Sequence, residues 1–347
     1  MKSNRAIKKF GGNNPCYIIA EIGSNFDGNL EKAKKMISLA KESGADCAKF
    51  QSFITDNLLS ETGFEKKQAF QSKWNKPVWE IYRKAEFPRK WHNILSNYAK
   101  KIGIDFNSTP YDFDAVDLLS KLGVNAFKIG SGDITYLEFL KYIAKKKIPI
   151  FLPTGASTIR EINDAIKAIK SIGNNKIILL QSVTQYPSPI EESNVNAIVT
   201  LKKKFKLDVG YSDHSPGIAV PIASVALGAK VIEKHFTDNR KNKGPDHPHS
   251  LEPKEFATMV SMIRDVEKAL GDGKKKVEKS EKETRIIQRR SIFTINEVKK
   301  GEIFTTENIQ CLRPASGLSA AEYSKILGKK SKNGLKKFYS LKKRDFI

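Results

Sequence analysis

The sequence predicts an α/β protein: a closed (β/α)8 TIM barrel of parallel strands, followed by a small β-rich module. Three observations carry this. Short apolar runs alternate with helical-period segments eight times within roughly 270 residues, close to the usual size of such a barrel. Polar and charged residues collect where the apolar runs end, the rim on which a barrel of this kind carries its chemistry. A stretch of glycine and lysine then leads into a last segment with frequent turn signals and short β runs. An open doubly wound sheet is the competing architecture, but no GxGxxG follows the first strand.

The first strand is expected over 17–22, a short run apolar up to Ala20 with Glu21 at its end, as a parallel strand buried on both faces with a polar C-terminal end should be. Leu30, Ala33, Ile37 and Ala40 mark one face of a helix over 30–43, which Gly44 closes. The second strand is expected over 45–50. Residues 52–87, with Gly63, Trp74 and Trp79, show no rhythm. So long a connection implies a functional loop or a small helical insertion. Beyond it the pattern settles. Strands are expected over 104–107, 126–130, 149–152, 176–181, 208–211 and 229–235. Helices are expected over 88–101, 112–122, 136–146, 158–172, 194–205, 216–227 and 253–270, the one at 158 opening on a Ser/Thr cap.

The barrel domain is therefore placed at 1–270, a solvated linker at 271–285 and the small module at 286–347. In the module, β runs fall at 291–295 and 309–312. A module of about 60 residues is marginal alone and is expected to dock on something.

Composition narrows the class. Hydrophobic residues make up 39% of the chain and mean hydropathy is −0.43, which suits a soluble protein with a real core. No apolar run is long enough to span a bilayer, and the basic start lacks an apolar run after it. Cys16, Cys47 and Cys311 are odd in number and far apart, which reads as reduced thiols in a cytoplasm. The formal charge is +23, and residues 274–347 hold 20 Lys/Arg against 8 Asp/Glu. The lysines are spread over helix faces, and no aromatic-interleaved basic motif is visible. A solvated surface that also draws in an anionic substrate is expected, with no nucleic-acid partner.

Candidate chemistry centres on Gly210-Tyr211-Ser212-Asp213-His214 and Val231-Ile232-Glu233-Lys234-His235. The strand–helix–strand unit that holds them makes the two strands parallel, so His214 and His235 should meet at one rim with Asp213 and Glu233 beside them. Two imidazoles with nearby carboxylates can hold a divalent metal and leave positions open. Two histidines satisfied by local hydrogen bonds are the plainer alternative. His247 and His249 follow shortly after. Lys49 and Lys128 point ammonium groups at the barrel mouth, and Ser131, Thr154 and Ser212 add hydroxyls. That set suits a small polyanion carrying a phosphate and a carboxylate. Glu21 and Glu233 could serve as base or sugar-hydroxyl acceptor. From the residues alone, the reaction expected is a metal-assisted joining of a phosphorylated acid to a carbonyl compound.

These residues resemble the N-acetylneuraminate (sialic acid) synthase family. The resemblance rests on Ile19-Ala20-Glu21-Ile22-Gly23-Ser24-Asn25, Gly44-Ala45-Asp46-Cys47-Ala48-Lys49-Phe50-Gln51, Lys128-Ile129-Gly130-Ser131-Gly132, the two histidine segments above and Gly244-Pro245-Asp246-His247. Arg289-Arg290-Ser291, Lys300-Gly301-Glu302 and Leu312-Arg313-Pro314 resemble that family's C-terminal SAF (antifreeze-like) module.

The resemblance implies condensation of phosphoenolpyruvate with an N-acyl amino hexose, N-acetylmannosamine or a diacetamido-dideoxy relative, to a nine-carbon 2-keto acid and phosphate. It implies Mn²⁺ or Mg²⁺ on His214 and His235. Lys49, Lys128, Ser131 and Ser212, with Thr154 as a further hydroxyl, would hold phosphoenolpyruvate. Glu21, Tyr186 and Asp246 would contact the sugar, and Glu233 would accept a proton. Asp213 is carried as a further catalytic candidate. Arg313 would reach into the partner's site in a domain-swapped homodimer. Phe26, Pro153 and 181–185 depart from the family's pattern, mostly near the sugar end. Legionaminate or pseudaminate synthesis, or an inactive carbohydrate-binding homologue, are the alternatives.

Overall fold

Eight parallel strands form the larger unit: β1 (Tyr17–Glu21), β2 (Cys47–Ser52), β3 (Asp105–Pro110), β4 (Phe127–Lys128), β5 (Ile150–Pro153), β6 (Ile177–Ser182), β7 (Asp208–Asp213) and β8 (Val231–His235). The computed structural model describes residues 9–67, 71–72 and 74–347. The strands lie in the order β3-β2-β1-β8-β7-β6-β5-β4. At the seam between β3 and β4, the Asn107 side-chain amide donates to the Ala126 carbonyl at 3.0 Å, so a side chain bridges where the ladder is missing. The result is a near-closed barrel of the TIM type, as the alternation of strand and helix signals predicts. All eight expected strands are present. β4 is only two residues long, because Gly130 leads straight into a 3-10 turn, Ser131–Thr135.

Period-2 alternation sorts the side chains. One face of the strands packs outward against helices such as Leu30–Glu42, Ile159–Ser171 and Pro253–Ala269, forming the main apolar core. The other face fills the barrel interior, where Tyr17, Ile19, Cys47, Phe151, Leu180 and Val231 form a second cluster with Phe10. The interior is full at this level. A Cβ on Gly210 would stand 2.3 Å from the Val231 carbonyl oxygen and 2.7 Å from Leu180 Cδ2, so only glycine fits. Above this apolar layer, toward the C-terminal strand ends, the inward residues become polar.

The long connection at 52–87 is a helical insertion: helices Thr55–Leu58 and Val78–Ala85 with a 3-10 turn Thr62–Phe64 between them. Positions 68–70 and 73 of it lie outside the described residues.

A second compact unit begins at Asp272. Its strands β9 (Ser291–Thr294) and β10 (Ile309–Leu312) pair antiparallel over a core that includes Ile292, Val298, Phe304, Ile309 and Leu341. One expectation needs correction. The second half of the stretch read as a linker opens a helix, Glu281–Gln288. All of its residues are exposed, Ile286 and Ile287 included, and only two of its eight residues are apolar. Acidic residues in its first turn and Arg285 in its last complement the helix dipole instead.

Candidate active site

Four charged side chains meet inside the barrel mouth. β1, β2 and β8 present Glu21, Lys49 and Glu233 inward, and β4 presents Lys128 from between outward-facing Phe127 and Ile129. Lys49 Nζ lies 2.5 Å from Glu21 Oε2 and 3.6 Å from Glu233 Oε2. Lys128 Nζ lies 3.0 Å from Glu233 Oε1, which also accepts from Ser212 Oγ at 3.0 Å. Thr109 accepts from Lys49 Nζ at 3.0 Å, and Gln51 Nε2 donates to Glu21 Oε1 at 2.7 Å. All four charged groups are buried, so each depends on the others for compensation.

The two carboxyls are pushed apart by their surroundings. Burial raises Glu21 to about 7, aided by the Glu233 charge and opposed by Lys49. Burial acts on Glu233 as well, but the Lys128 and Lys49 ammoniums together overcome it and bring that carboxyl down to about 2. Lys49 is held above its ordinary value: burial works against its charge, and Glu21 and Glu233 outweigh burial.

Three imidazoles stand beside this cluster. The rings of His214 and His235 are 5.6 Å apart, and the His249 ring lies 4.6 Å from that of His235. His214 Nδ1 is 2.7 Å from the Val183 carbonyl, which can only accept, so the proton sits on Nδ1 and the lone pair on Nε2. His235 Nδ1 and His249 Nε2 are buried with no hydrogen-bond partner among the described residues. His235, Asp246 and His249 each offer a ligand atom within 4.8 Å of the others. Burial lowers His214 to about 3 and His235 well below its ordinary value, so both rings are neutral, the form that binds a cation. Orphaned nitrogens, neutral rings and an adjacent carboxylate fit a divalent metal.

Next to the imidazoles is a cavity of about 470 Å³, the size of a small-molecule site. Its walls include Phe53, Trp74, Tyr82, Tyr111 and Tyr186, with Ser24, Gln51, Asp246 and His249 as polar groups. Tyr186 packs against the histidines, its ring tilted and 4.2 Å from the His214 ring.

A model of the NeuB family matches residues 36–275, and a SAF domain model matches 289–337. The chain belongs to the NeuB family. It is 46% identical over 317 residues to an N,N'-diacetyllegionaminic acid synthase of Campylobacter jejuni, covering 90% of this chain and 94% of that one. It is 36% identical to the human N-acetylneuraminate-9-phosphate synthase over 92% of this chain and 89% of the relative. Among solved structures, an N-acetylneuraminic acid synthetase from Leptospira borgpetersenii in complex with citrate matches with a TM-score of 0.71 and 37% identity. That match covers 79% of this chain and 92% of that one.

This NeuB chain gathers most of the residues the sequence singles out: Glu21, Lys49, Lys128, Ser212 and Glu233 in the charged cluster, and His214, His235, Tyr186 and Asp246 beside it. Ser131 Oγ lies 3.3 Å from where a Cβ on Gly155 would stand, beside Thr184 and Ser182. Within the barrel unit, two residues do not join. Asp213 faces the opposite side of β7 from Ser212. Its Oδ2 pairs with Lys234 Nζ at 2.5 Å, and its Oδ1 accepts from the Ser215 amide. The Thr154 hydroxyl is turned to the Leu180 carbonyl at 3.2 Å and to Gln181. Arg313 is exposed in the second unit, just past β10.

Sequence reasoning passed over Thr109, Ser182, the aromatic wall and the site role of His249. Ser182 Oγ and Thr184 Oγ1 are buried hydroxyls with no partner among the described residues. Thr109 shares the inward parity of Asn107, but the strand expected over 104–107 stops short of it. The wall residues of 52–87 carry no such signal.

Proposed function

We propose that the chain condenses phosphoenolpyruvate with the open-chain aldehyde of an N-acyl amino hexose, giving a nine-carbon 2-keto sugar acid and phosphate. The observation that carries this is Lys49 and Lys128 converging at the barrel mouth, next to an imidazole cluster and a cavity. Two ammoniums with the hydroxyls of Thr109, Ser131 and Ser212 form a seat for a phosphate and a carboxylate. The cavity beside it forms a seat for a sugar. Aromatic faces such as Trp74 and Tyr82 suit acylamino methyls, and Tyr186 and Asp246 offer polar contacts.

In the reaction, C3 of phosphoenolpyruvate bonds to the aldehyde carbon, and the carbonyl oxygen takes up a proton. Water adds at C2 and gives up a proton. The C2–O bond to phosphate then breaks, phosphate leaves with the electron pair, and the new C2 hydroxyl gives its proton to it as the keto group forms. Glu21 and Glu233 stand where those protons can be held, and Gln51 orients Glu21. His214 and His235 would hold Mn²⁺ or Mg²⁺, which supplies polarisation of the carbonyl oxygen. Asp213 is a positioning residue: with Lys234 it ties β7 to β8 just below the two histidines. Arg313 would serve the partner's site in a domain-swapped homodimer. Three free, dispersed cysteines suit a reducing cytoplasm. Among the described residues, no helix is long and apolar enough to cross a membrane.

The legionaminate branch is the favoured reading of the substrate, because the relative at 46% identity is an N,N'-diacetyllegionaminic acid synthase. A diacetamido-dideoxy hexose is then the acceptor and N-acetylmannosamine the second choice. The test is phosphate release from phosphoenolpyruvate with Mn²⁺, offered each sugar in turn. Release that EDTA abolishes supports the synthase, and the faster sugar names the branch. No release with either sugar from folded protein would overturn it in favour of an inactive carbohydrate-binding homologue.

A further inference from the structure

The turn that follows Asp246 carries two histidines with different surroundings. His247 uses both ring nitrogens: Nδ1 lies 2.6 Å from Thr237 Oγ1, and Nε2 lies 2.9 Å from Asp27 Oδ1. It fixes the turn. His249, two residues on, is also nearly buried, yet its Nε2 has no hydrogen-bond partner among the described residues. That nitrogen lies 4.0 Å from Asp246 Oδ1. Asp246 is aimed by its other oxygen, which accepts from the Ser24 amide at 2.8 Å and the Ser24 hydroxyl at 2.7 Å. His235 Nδ1 is likewise buried with no hydrogen-bond partner among the described residues, and His235, Asp246 and His249 each offer a ligand atom within 4.8 Å of the others.

A buried polar atom left unpaired costs about 1–3 kcal/mol, so two together next to a carboxylate call for a shared partner. A cation bound at roughly 2.1 Å from each ligand would satisfy all three groups after small side-chain movements. The His249 and His235 rings meet edge to face at 4.6 Å, so both stand at the same place.

We propose that His249 and Asp246 join His235 as ligands of the divalent ion at this site, and that His249 sets its preference. This rests on the reading that the barrel mouth is a metal site. A second imidazole beside a carboxylate makes the donor set nitrogen-rich. Imidazole suits Co²⁺, Zn²⁺ and other later transition ions, while Mg²⁺ holds to oxygen donors and water. With His249 in the set, the chain takes Co²⁺ in the presence of a large excess of Mg²⁺.

The test is titration of the metal-stripped full chain with Co²⁺, read by visible d–d absorption, with Mg²⁺ as competitor. Wild type is expected to bind one Co²⁺ that millimolar Mg²⁺ does not displace. His249→Ala should weaken that binding about tenfold or more and change the band shape, with an unchanged circular dichroism spectrum. His249→Gln, which keeps the bulk of the turn, is the second variant should the first fail to fold. Wild-type affinity and spectrum in the folded variant, with loss only in His214→Ala, would overturn the proposal and leave His214 and His235 as the ligands. The readout needs neither phosphoenolpyruvate nor sugar. Intact Co²⁺ binding without phosphate release would therefore sink the synthase reading and leave this one standing.

Discussion

Lys234 Nζ and Asp213 Oδ2 form an ion pair at 2.5 Å with both side chains out of contact with solvent, on the outer face of the barrel. The pair links the ends of β7 and β8, and the next residue along each strand is a histidine of the site, His214 and His235.

Removing one partner of such a pair leaves a buried charge uncompensated. Asp213→Ala should cost about 3–5 kcal/mol of stability in guanidinium unfolding. The double variant Asp213→Leu with Lys234→Met replaces both charges by apolar groups and should recover most of that loss. If Asp213 acts by holding the strand ends, the stable double variant keeps phosphate release within about tenfold of wild type. If the carboxylate takes part in the chemistry, as a reading of the sequence expects, that variant is stable and inactive.

Glu233 compensates two ammoniums at once, at 3.0 Å from Lys128 and 3.6 Å from Lys49. Glu233→Gln keeps the shape and takes from both lysines the one carboxylate that they share. The variant should lose about 3 kcal/mol or more and should release almost no phosphate. The positive charge it uncovers should also be relieved by an anion. Phosphoenolpyruvate should therefore raise the melting temperature of Glu233→Gln by more than that of wild type. An equal or smaller rise would show that the substrate phosphate does not sit on these lysines.

The barrel and most of the charged cluster are legible in the sequence because their signals are local. Apolar runs and helical periods give the strands and helices, and a lysine flanked by phenylalanine and isoleucine at 127–129 can only be an inward residue. Strand length is not local. The apolar run of β7 ends at Tyr211, so Asp213 reads as part of a loop free to join the histidines. The ladder in fact continues to Asp213, and alternation turns it outward. The same extension in β3 brings Thr109 inward on the Asn107 side. His249 and the aromatic wall reach the site from irregular segments, whose course depends on packing that no period encodes.

Gly155 is where the hydroxyls crowd most closely. A Cβ there would stand 2.1 Å from Thr184 Oγ1 and 3.3 Å from Ser131 Oγ. Gly155→Ala must displace Thr184 and narrow the space beside Ser131. The overpacking should cost about 1–3 kcal/mol, which a chain of this size tolerates. The kinetic effect should fall on the anion: KM for phosphoenolpyruvate rises about tenfold while KM for the sugar changes little. A rise confined to the sugar would place the phosphate elsewhere.

His92 offers a pH-dependence that can be read without the reaction. Its ring is fully buried between Phe87 and Phe106, with Nδ1 donating to the Arg89 carbonyl at 3.0 Å and Nε2 2.5 Å from Ser52 Oγ. Burial disfavours the imidazolium, and the Arg89 charge adds to this, so the group is lowered to about 4. The folded state thus holds His92 neutral, while the unfolded chain takes up a proton below roughly 6.5. The stability this contributes is present in full above about 6.5 and is lost as pH falls toward 4, at up to about 1.4 kcal/mol per pH unit. The buried site histidines add to the wild-type slope, so the informative quantity is a difference. His92→Gln, which can keep both hydrogen bonds but cannot titrate, should show a shallower fall in urea-derived stability between pH 6.5 and 4. Parallel curves for the two proteins would mean that His92 is already protonated in the folded state.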